Sequence, residues 1–381
     1  MELSVIILNY NVKHFLAICI ESVQKAIKNL SAEIIVVDNA STDGSKEMVT
    51  ALYPEVTYIY LDKNEGFPKG NNIGVQHAKG KYICILNPDT IVSEDTFTNL
   101  LTEYKNRTNP GILGTELIDG VGNFLPESKR GVPTPWVAFT KVLGLYKLFP
   151  SSKWFNQYYA QQLNSNQSGE VAILVGAFML LEKNLYEKVG GFDEGCFMYS
   201  DDIDLSYLVL KEGKQNYYVP NTTVIHFKGE STLKDGLFMK RFKDAMQFFY
   251  NKHFKKSILF DFLMSIGIFL FAFKKKNTKP KIKIKANQYH LVTTNSNLID
   301  KVKNQLTNVV VTDKIPLNNP LKPSDRVEFL VDSETISFKQ YINFLKEHTN
   351  SNYTYKIKPS KLDIFIGSND KDDKGEILLL N

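Results

Sequence analysis

The first part of the chain contains three short apolar runs, each of which ends in polar residues and is separated from the next by a helical stretch. The runs cover residues 4–11, 33–45 and 82–90. Val- and Ile-rich strands that alternate with helices of about ten or more residues are typical of a parallel sheet, in which polar residues collect at the carboxyl ends of the strands. Ligands bind at that edge. The sequence therefore predicts an α/β fold with Asp38 and Asp89 in one crevice, where a nucleotide could use both.

A cluster of carboxylates lies between residues 192 and 231. Asp201, Asp202 and Asp204 precede the single histidine of this stretch, His226, by about two dozen residues. Carboxylates this close repel each other unless a cation, a polar substrate or a raised pKa relieves the repulsion, so the cluster could hold a base beside a metal. An acidic helix N-terminus, which the helix dipole favours without any catalytic role, would explain the same residues.

Five sequence segments occur in the order that one enzyme family shows. They are VIILNYN at 5–11, DNASTDGS at 38–45, NEGFPKGNNIG at 64–74, LNPDT at 86–90, and GGFDEGCFMYSDDIDL at 190–205 followed by HFKGES at 226–231. Their ordered combination resembles the family 2 glycosyltransferases of the GT-A fold, and among these the rhamnosyltransferases of bacterial surface polysaccharides. The likeness covers roughly the first two thirds of the chain. It implies a GT-A domain at residues 1–255 that uses a nucleotide-diphosphate sugar as donor.

The resemblance assigns a nucleotide pocket to the first strand ends. Asp38 would accept hydrogen bonds from the base or ribose, because a carboxylate suits an imide N–H or ribose hydroxyls, and Asn9 and Tyr10 would close the pocket around the base. A glycine-rich loop that runs into a helix would approach the donor closely. Without the neighbouring motifs this loop would be an ordinary turn. Its donor-binding residues are expected to be Asn64, Gly66 and Asn71.

The resemblance also implies a metal site. Asn87-Pro88-Asp89 stands where the fold carries an Asp-x-Asp signature, so Asp89 is the anionic ligand there and Asn87 faces the donor. Mg²⁺ or Mn²⁺ takes carboxylate and phosphate oxygens and keeps waters, so Asp89 and the donor diphosphate would suffice. His226 could add an imidazole, which suits Mn²⁺ better than Mg²⁺. A lone histidine after a strand can instead be a surface or packed residue.

Asp202 aligns with the second residue of the family's Glu-Asp pair and is the expected catalytic base. Asp201 replaces the Glu of that pair, and Asp204 is expected to cap or orient the following helix. The family often has an arginine where this chain has Leu208 or Val209, so an expected cation is missing. Lysine could replace it without the bidentate fork of arginine. The candidates are Lys211, Lys214 and Lys228, of which Lys228 is assigned to the donor site.

Arg130 and Trp136, in the segment ESKRGVPTPW, could line the acceptor groove. A surface arginine and a core tryptophan are the alternative. The expected reaction is inverting transfer of a sugar, with rhamnose as the first candidate, to a hydroxyl of a bacterial surface glycan or its lipid-linked precursor. The ordered motifs argue against a glycosidase, which needs no nucleotide pocket. The remaining alternative is a non-catalytic subunit of a polysaccharide assembly complex that binds the nucleotide sugar, although Asp38, Asp89 and Asp202 are all present.

Residues 256–285 form an apolar segment and a basic linker. Residues 258–273 are apolar apart from Asp261 and Ser265, and lysines flank them. As a helix they would span about 24 Å, which is shorter than a bilayer core, so we expect an interfacial helix on an anionic membrane surface. A buried helix against another domain or subunit is the alternative. The net charge of +5 is concentrated here, and no nucleic-acid-binding motif occurs.

Residues 286–381 read as a small Rossmann-like α/β domain of short strands and two helices. Its first turn, TTNSN, lacks GxGxxG, which favours a structural role or a homo-oligomer contact over a second nucleotide site. The three cysteines show no CxxC spacing, which is typical of reduced thiols. With no signal sequence in view, the expected location is the cytoplasm, with a peripheral position on the inner face of the plasma membrane if the apolar helix binds lipid.

Overall fold

The computed structural model describes most of the chain as two β-sheets with flanking helices. None of the described helices is both long and apolar enough to cross a bilayer. The predicted apolar helix and basic linker at 256–285 lie outside the described residues, and so do Gly229 and Ser231 of the HxxGxS segment. The described residues are 1–134, 157–228, 236–254, 286–315, 326–349, 352–369 and 375–380, with scattered positions between 135 and 156.

The first sheet has the order β3-β2-β1-β4-β8-β6-β9-β5, and β7 pairs with β9. Strands β1, β2, β3 and β4 are parallel, whereas β8 runs antiparallel to β4. Its strands are β1 Leu3–Asn9, β2 Ala32–Asp38, β3 Thr57–Tyr60, β4 Tyr82–Leu86, β5 Thr90–Ile91, β6 Pro110–Ile118, β7 Gly169–Glu170, β8 Phe178–Glu182 and β9 Gln215–His226. The described helices are α1 Lys13–Ile27, α2 Ser45–Leu52, α3 Phe67–His77, α4 Thr96–Asn106, α5 Leu145–Leu148, α6 Lys183–Lys188, α7 Asp201–Lys211 and α8 Gly236–His253.

Strand β1 lies at the centre of this sheet, and all seven of its residues are buried. Val5 and Ile7 belong to the apolar cluster on one face of the sheet, and Ile6 and Leu8 to the cluster on the other. This burial on both faces explains why the strand is a continuous apolar run. Helix α3 packs on β1 at very short range, because a Cβ added at Gly70 would lie 2.4 Å from Leu8 Cδ1. The spaced glycines of this helix therefore serve helix–strand packing.

The C-terminal α/β region, residues 286–380, forms the second sheet, in the order β11-β10-β12-β13-β14-β15. The first four strands in this order are parallel, and β14 and β15 are antiparallel. The elements are β10 Gln288–Val292, α9 Ser296–Gln305, β11 Val309–Thr312, β12 Val327–Asp332, α10 Phe338–Glu347, β13 Tyr353–Lys358, β14 Ile364–Gly367 and β15 Glu376–Leu379. The predicted second sheet is confirmed, whereas the domain boundaries at 255 and 286 stay a prediction.

The two sheets share one hydrophobic cluster. Ile91, Ile225 and Phe227 of the first sheet belong to the same cluster as Phe338 and Ile342 of α10, and all of them are buried. Such a shared core means that the C-terminal α/β region packs directly on the first sheet. It packs behind the strand pair β5/β9, whose ends carry several of the predicted site residues.

Candidate active site

The carboxyl ends of β1 and β2 hold Asn9 and Asp38 side by side, because the two residues pair in the parallel register. Asn9 Nδ2 donates to Asp38 Oδ2 at 2.7 Å, and the hydroxyl of Tyr58 on β3 donates to the same oxygen at 2.6 Å. The amide of Ser41 donates to Asp38 Oδ1 at 2.6 Å. Asp38 is fully buried, and its carboxylate holds Asn9, Tyr58 and the backbone of Ser41 in place around the pocket. Tyr10 lies beside them as a partly exposed residue at the rim.

Asn9 supplies an unsatisfied acceptor at this edge, since its buried Oδ1 has no partner among the described residues. Buried polar atoms without a partner are rare in native proteins and call for an explanation. Burial, together with the hydrogen bond to Asp38, raises the pKa of Tyr58 well above its ordinary value, so this hydroxyl remains a donor. An N–H group of a ligand would complete the hydrogen bonding at Asn9.

The loop 64–67 is fixed between two other loops of the site. Asn39 Nδ2 donates to Asn64 Oδ1 at 2.9 Å and to the carbonyl of Gly66 at 3.2 Å. Gly66 has φ +86°, and a Cβ there would lie 2.9 Å from the ring of Phe197. Glycine is required for this conformation and this approach. Asn71 is fully buried and donates to the carbonyl of Phe67 at 2.9 Å, and its Oδ1, like that of Asn9, has no partner among the described residues, so its place in the donor site stays a prediction.

Three residues of the predicted metal site come together at the end of the strand pair β5/β9. His226 pairs with Thr90 in the antiparallel register. Its Nε2 lies 3.4 Å from Asp89 Oδ1 and 3.2 Å from Asn87 Nδ2. The side chains of His226 and Asp89 are buried, and Asn87 is half-buried. His226 Nδ1 has no partner among the described residues.

The geometry of Asp89 and His226 fits two ligands of one cation. Ligands at about 2.1 Å and at right angles on a six-coordinate ion lie about 3 Å apart, close to the observed 3.4 Å between Oδ1 and Nε2. In the described part of the chain no group of three or more His, Cys, Asp or Glu side chains is arranged to hold a metal. The other ligands would therefore have to be oxygens from a diphosphate or from water, as the sequence predicts.

Asp202, at the start of α7, forms a buried ion pair with Arg130. Arg130 Nη2 donates to Asp202 Oδ2 at 2.5 Å and to the carbonyl of Leu174 at 3.2 Å, and the amide of Gly176 donates to the same carboxylate oxygen at 3.1 Å. Burial opposes the charge on Arg130, but the carboxylate of Asp202 outweighs it and raises the pKa of this guanidinium. Arg130 thus supplies the cation that α7 itself lacks, and it lies beside the predicted base.

The other two aspartates of the cluster have different surroundings. Burial and the charge of Asp202 raise the pKa of Asp201 to about 7. Asp204 is fully buried and does not cap α7. Its carboxylate accepts from His253 Nε2 at 2.5 Å and Lys252 Nζ at 2.8 Å, and both of these residues are on α8. Asp204 therefore ties α7 to α8.

Two further predicted residues occupy positions that the sequence did not suggest. Lys228 forms an ion pair with Glu127, a residue of the same short segment as Arg130. Its contact with the donor stays a prediction. Trp136 is 45% exposed, and its Nε1 donates to the carbonyl of Trp154 at 3.0 Å. The alternative of a core tryptophan is wrong.

Strained backbone surrounds the same edge. Non-glycine residues in its loops with positive φ are Asn11, Ala40, Tyr199 and Lys228, at 56°, 63°, 78° and 62°. Such conformations are unfavourable for residues with a Cβ, above all for a bulky one, and they cluster at functional sites where the surrounding structure enforces them. The strain supports assigning the functional site to these loops.

Several residues of the site were missed by sequence reasoning. Tyr58 lies in a short strand that shows no motif, and the loop around Gly176 interrupts what reads as one apolar run. Asn39 stands inside a recognised motif, but its bonds to the loop at 64–66 depend on the fold. The isolated glycine in a strand pattern at 176 was the signal available, because it marks a close backbone approach.

Comparison with known proteins decides the family. Residues 4–190 match the model for glycosyl transferase family 2. The rhamnosyltransferase WbbL of Escherichia coli is 30% identical over 230 residues, which cover 54% of this chain and 78% of that protein. The chain belongs to glycosyl transferase family 2. The predicted family and enzyme class, a glycosyltransferase, are thus confirmed.

Further similarities are more distant. The N-acetylglucosaminyl-diphospho-decaprenol L-rhamnosyltransferase of Mycobacterium tuberculosis is 27% identical over 213 residues, covering 53% of this glycosyltransferase and 68% of that protein. Among solved structures, the mannosyltransferase PcManGT from Pyrobaculum calidifontis, in complex with GDP-Man and Mn²⁺, has a TM-score of 0.47 at 16% identity. That match covers 73% of this chain and 76% of the other.

The environment of Asp201 leads to a prediction on stability. Its pKa is near 3.9 when unfolded and higher when folded, so the folded state carries no penalty below pH 4 and a growing penalty as the pH rises towards 7. Asp201→Asn should therefore raise the melting temperature at pH 8 and change it little at pH 4. Thermal melts at both pH values, with the exposed Asp62→Asn as control, measure this. An equal change at both pH values would contradict the raised pKa.

Proposed function

We propose that this glycosyltransferase is a metal-dependent, inverting enzyme. It moves a sugar, with rhamnose as the first candidate, from a nucleoside-diphosphate donor to a hydroxyl of a bacterial surface glycan or its lipid-linked precursor. The two named relatives reported above are rhamnosyltransferases, and the name of one of them includes a lipid diphosphate. Those names support the choice of rhamnose and of a lipid-linked acceptor. A lipid-linked acceptor would place the enzyme at the cytoplasmic face of a membrane.

One observation carries the proposal: two adjacent residues, Gly176 and Ala177, connect the Asp202–Arg130 pair to the Asp89–His226 pair. The amide of Gly176 binds the carboxylate of Asp202, and the carbonyl of the next residue, Ala177, accepts from the amide of Asn87 at 3.0 Å. Asn87 in turn contacts His226. The segment 176–177 therefore holds Asp202 within a short distance of Asn87 and the Asp89–His226 pair, as transfer between a bound diphosphate sugar and a hydroxyl requires.

In the proposed reaction Asp202 removes the proton of the acceptor hydroxyl as its oxygen attacks the anomeric carbon. A new bond forms between that carbon and the acceptor oxygen while the bond to the diphosphate breaks, and the nucleoside diphosphate leaves from the opposite face. The configuration is thereby inverted. Arg130 and the amide of Gly176 fix one oxygen of Asp202, Oδ2, so the second oxygen is presented in a defined direction.

Asp89 and His226 are the residues that would hold Mg²⁺ or Mn²⁺. Such a cation, when bound, neutralises the charge that develops on the leaving diphosphate. The imidazole favours Mn²⁺, whereas the carboxylate suits either ion. At the other end of the donor, Asn9 Oδ1 would accept from an N–H of the base, and Asp38 keeps Asn9 in place.

A donor screen tests the proposed function directly. The protein is incubated with Mg²⁺ or Mn²⁺, a panel of nucleotide sugars and a membrane extract as the source of acceptor, and the release of nucleoside diphosphate is followed. Release from one donor, dependent on the extract, is the expected result. Binding of a nucleotide sugar without any turnover would instead identify a non-catalytic subunit.

Removing the base should act on turnover. Asp202→Asn keeps the shape and the bonds to Arg130 but cannot accept the proton, so kcat should fall by about 10²- to 10⁴-fold. The KM for the donor should stay within a few-fold. Steady-state kinetics against donor measure both quantities, and Asp201→Asn is the matched control, which should retain far more turnover. If Asp202→Asn turned over like the wild type, Asp201 would become the candidate base.

Removing the cation or its carboxylate ligand should act on the donor. EDTA should abolish transfer, and Asp89→Ala should weaken the binding of a nucleoside diphosphate because the diphosphate loses its counter-charge. Calorimetric titration of the diphosphate, with and without Mn²⁺, measures this effect independently of turnover. Affinity that is indifferent to both changes would rule out a metal site at Asp89.

A further inference from the structure

The strand pair β5/β9 has two faces with different neighbours. His226 pairs with Thr90 and approaches Asp89, whereas the next pair, Ile91 and Ile225, belongs to the cluster that contains α10. Side chains alternate between the faces of a strand, so one face of this pair serves the site and the other packs on the C-terminal α/β region. The strand pair therefore transmits the position of α10 to the predicted metal ligands.

Phe227 connects the two sides directly. Its amide donates to the carbonyl of Asp89 at 3.0 Å, so its backbone fixes the residue that bears the metal-type carboxylate. Its side chain is fully buried in the cluster shared with α10, and its ring stacks edge-on against Phe15 of α1 at 5.0 Å between centroids. A shift of α10 would move Phe227 and with it Asp89.

Glu94 joins the first sheet to the N-terminus of α10. Its Oε1 accepts from the amide of Phe338 at 2.8 Å, and its Oε2 accepts from the amide of Lys339 at 2.9 Å. These are the first two helical amides, which the N-cap Ser337 leaves unbound because its own hydroxyl binds the third, that of Gln340. A carboxylate here is stabilised by both bonds and by the helix dipole. Glu94 lies five residues after Asp89.

Two further contacts are made at the carboxyl ends of β12 and β13. Glu21 of α1, which is buried, accepts from the amides of Ser360 at 2.8 Å and Lys361 at 3.3 Å, just after β13. Lys25 Nζ donates to the carbonyl of Ser333, just after β12, at 2.8 Å. In doubly wound sheets this edge binds ligands. Here it binds the first sheet, so the Rossmann-like pattern serves docking.

The two regions meet at backbone distance. A Cβ added at Gly122, in the loop after β6, would lie 2.0 Å from the carbonyl oxygen of Leu345 on α10. A Cβ at Gly120 would lie 2.3 Å from the carbonyl oxygen of Ser368. Gly122 also has φ +89°, which disfavours any other residue. Contacts this close couple the position of α10 to the backbone of the first sheet.

We propose that Glu94 is a positioning residue: by anchoring α10 it holds the strand pair β5/β9, and through it the Asp89–His226 pair, in the geometry that binds the donor diphosphate. This inference rests on the proposed function of that pair. The C-terminal α/β region then contributes to donor binding through its packing on the first sheet. Its contribution is made in donor binding, before the proton transfer at Asp202.

The experiment compares Glu94→Gln with the wild type in the full chain. The probe is a nucleoside diphosphate with Mn²⁺, titrated by calorimetry, beside steady-state kinetics with the donor found in the screen. Loss of two charge-assisted bonds should raise the Kd of the diphosphate and the donor KM by about tenfold, and kcat at saturating donor should stay within about twofold. Glu94→Asp, which keeps the charge but is too short to bridge both amides, should give a smaller rise in the same direction.

Two matched controls separate positioning from stability alone. Glu21→Gln removes an equivalent carboxylate from the same interface, far in sequence from Asp89, and should lower the melting temperature without raising the Kd. Lys339→Gln removes the exposed ion pair with Asp95 but keeps the backbone amide that Glu94 binds, and it should change neither. If Glu94→Gln lowered the melting temperature but left Kd and KM at wild-type values, its role would be structural and the proposal would be overturned.

The same titration distinguishes failure of this inference from failure of the proposed function. If Asp89→Ala and EDTA weaken the binding of the diphosphate while the Glu94 variants bind like the wild type, only the positioning role is wrong. If Asp89→Ala also binds like the wild type, the metal site itself is wrong, and the role of Glu94 falls with it. Glu94 is half-buried, so its amide variant is expected to fold.

Discussion

Compensation of buried carboxylates is the constraint around which this structure is arranged. An ionised carboxylate away from water is costly unless it is hydrogen-bonded or paired. Asp38 has three donors from three loops or strands, Asp202 has Arg130 and a backbone amide, and Asp204 has the Lys252 ammonium and the His253 imidazole of α8. Asp201 is instead moved towards its neutral form. Because each partner comes from a different element, meeting this requirement also fixes the loops against one another.

The same requirement selects among the aspartates. Asp38 and Asp204 are fully buried and bonded on both oxygens, so neither is placed to take a proton from a substrate. Among the described residues, the donors to Asp202 both end on Oδ2, which leaves the other oxygen for chemistry. Asp89 faces an imidazole that can share a cation with it. The proposed roles of base and metal ligand thus belong to the two aspartates, Asp202 and Asp89, whose carboxylates are not bonded on both oxygens by the protein residues described.

Much of the architecture could be predicted from the sequence, because local residue patterns indicate strands and turns. The apolar runs predict the parallel strands, and the motifs at their ends predict that Asn9 and Asp38 lie at the same edge, where the two residues pair in register. Contacts that join distant segments could not be predicted. Arg130 and Asp202 are 72 residues apart, and Glu94 and Phe338 are 244 apart. Their spacing does not indicate which residues pair, so neither the Arg130–Asp202 pair nor the contact of Glu94 with α10 follows from the sequence.

The C-terminal α/β region has the geometry of a sheet that binds ligands at the carboxyl ends of its strands, but it uses that edge for packing. Its parallel strands end in polar loops, as in sheets that bind nucleotides there, and the first turn lacks the glycines that a pyrophosphate needs. The helix N-terminus at that edge still attracts an anion, as its unpaired amides require. The anion is Glu94 of the same chain. The helix N-terminus, which in other proteins binds a ligand phosphate, here binds the first sheet through Glu94. Glu94 lies on the same segment as Asp89.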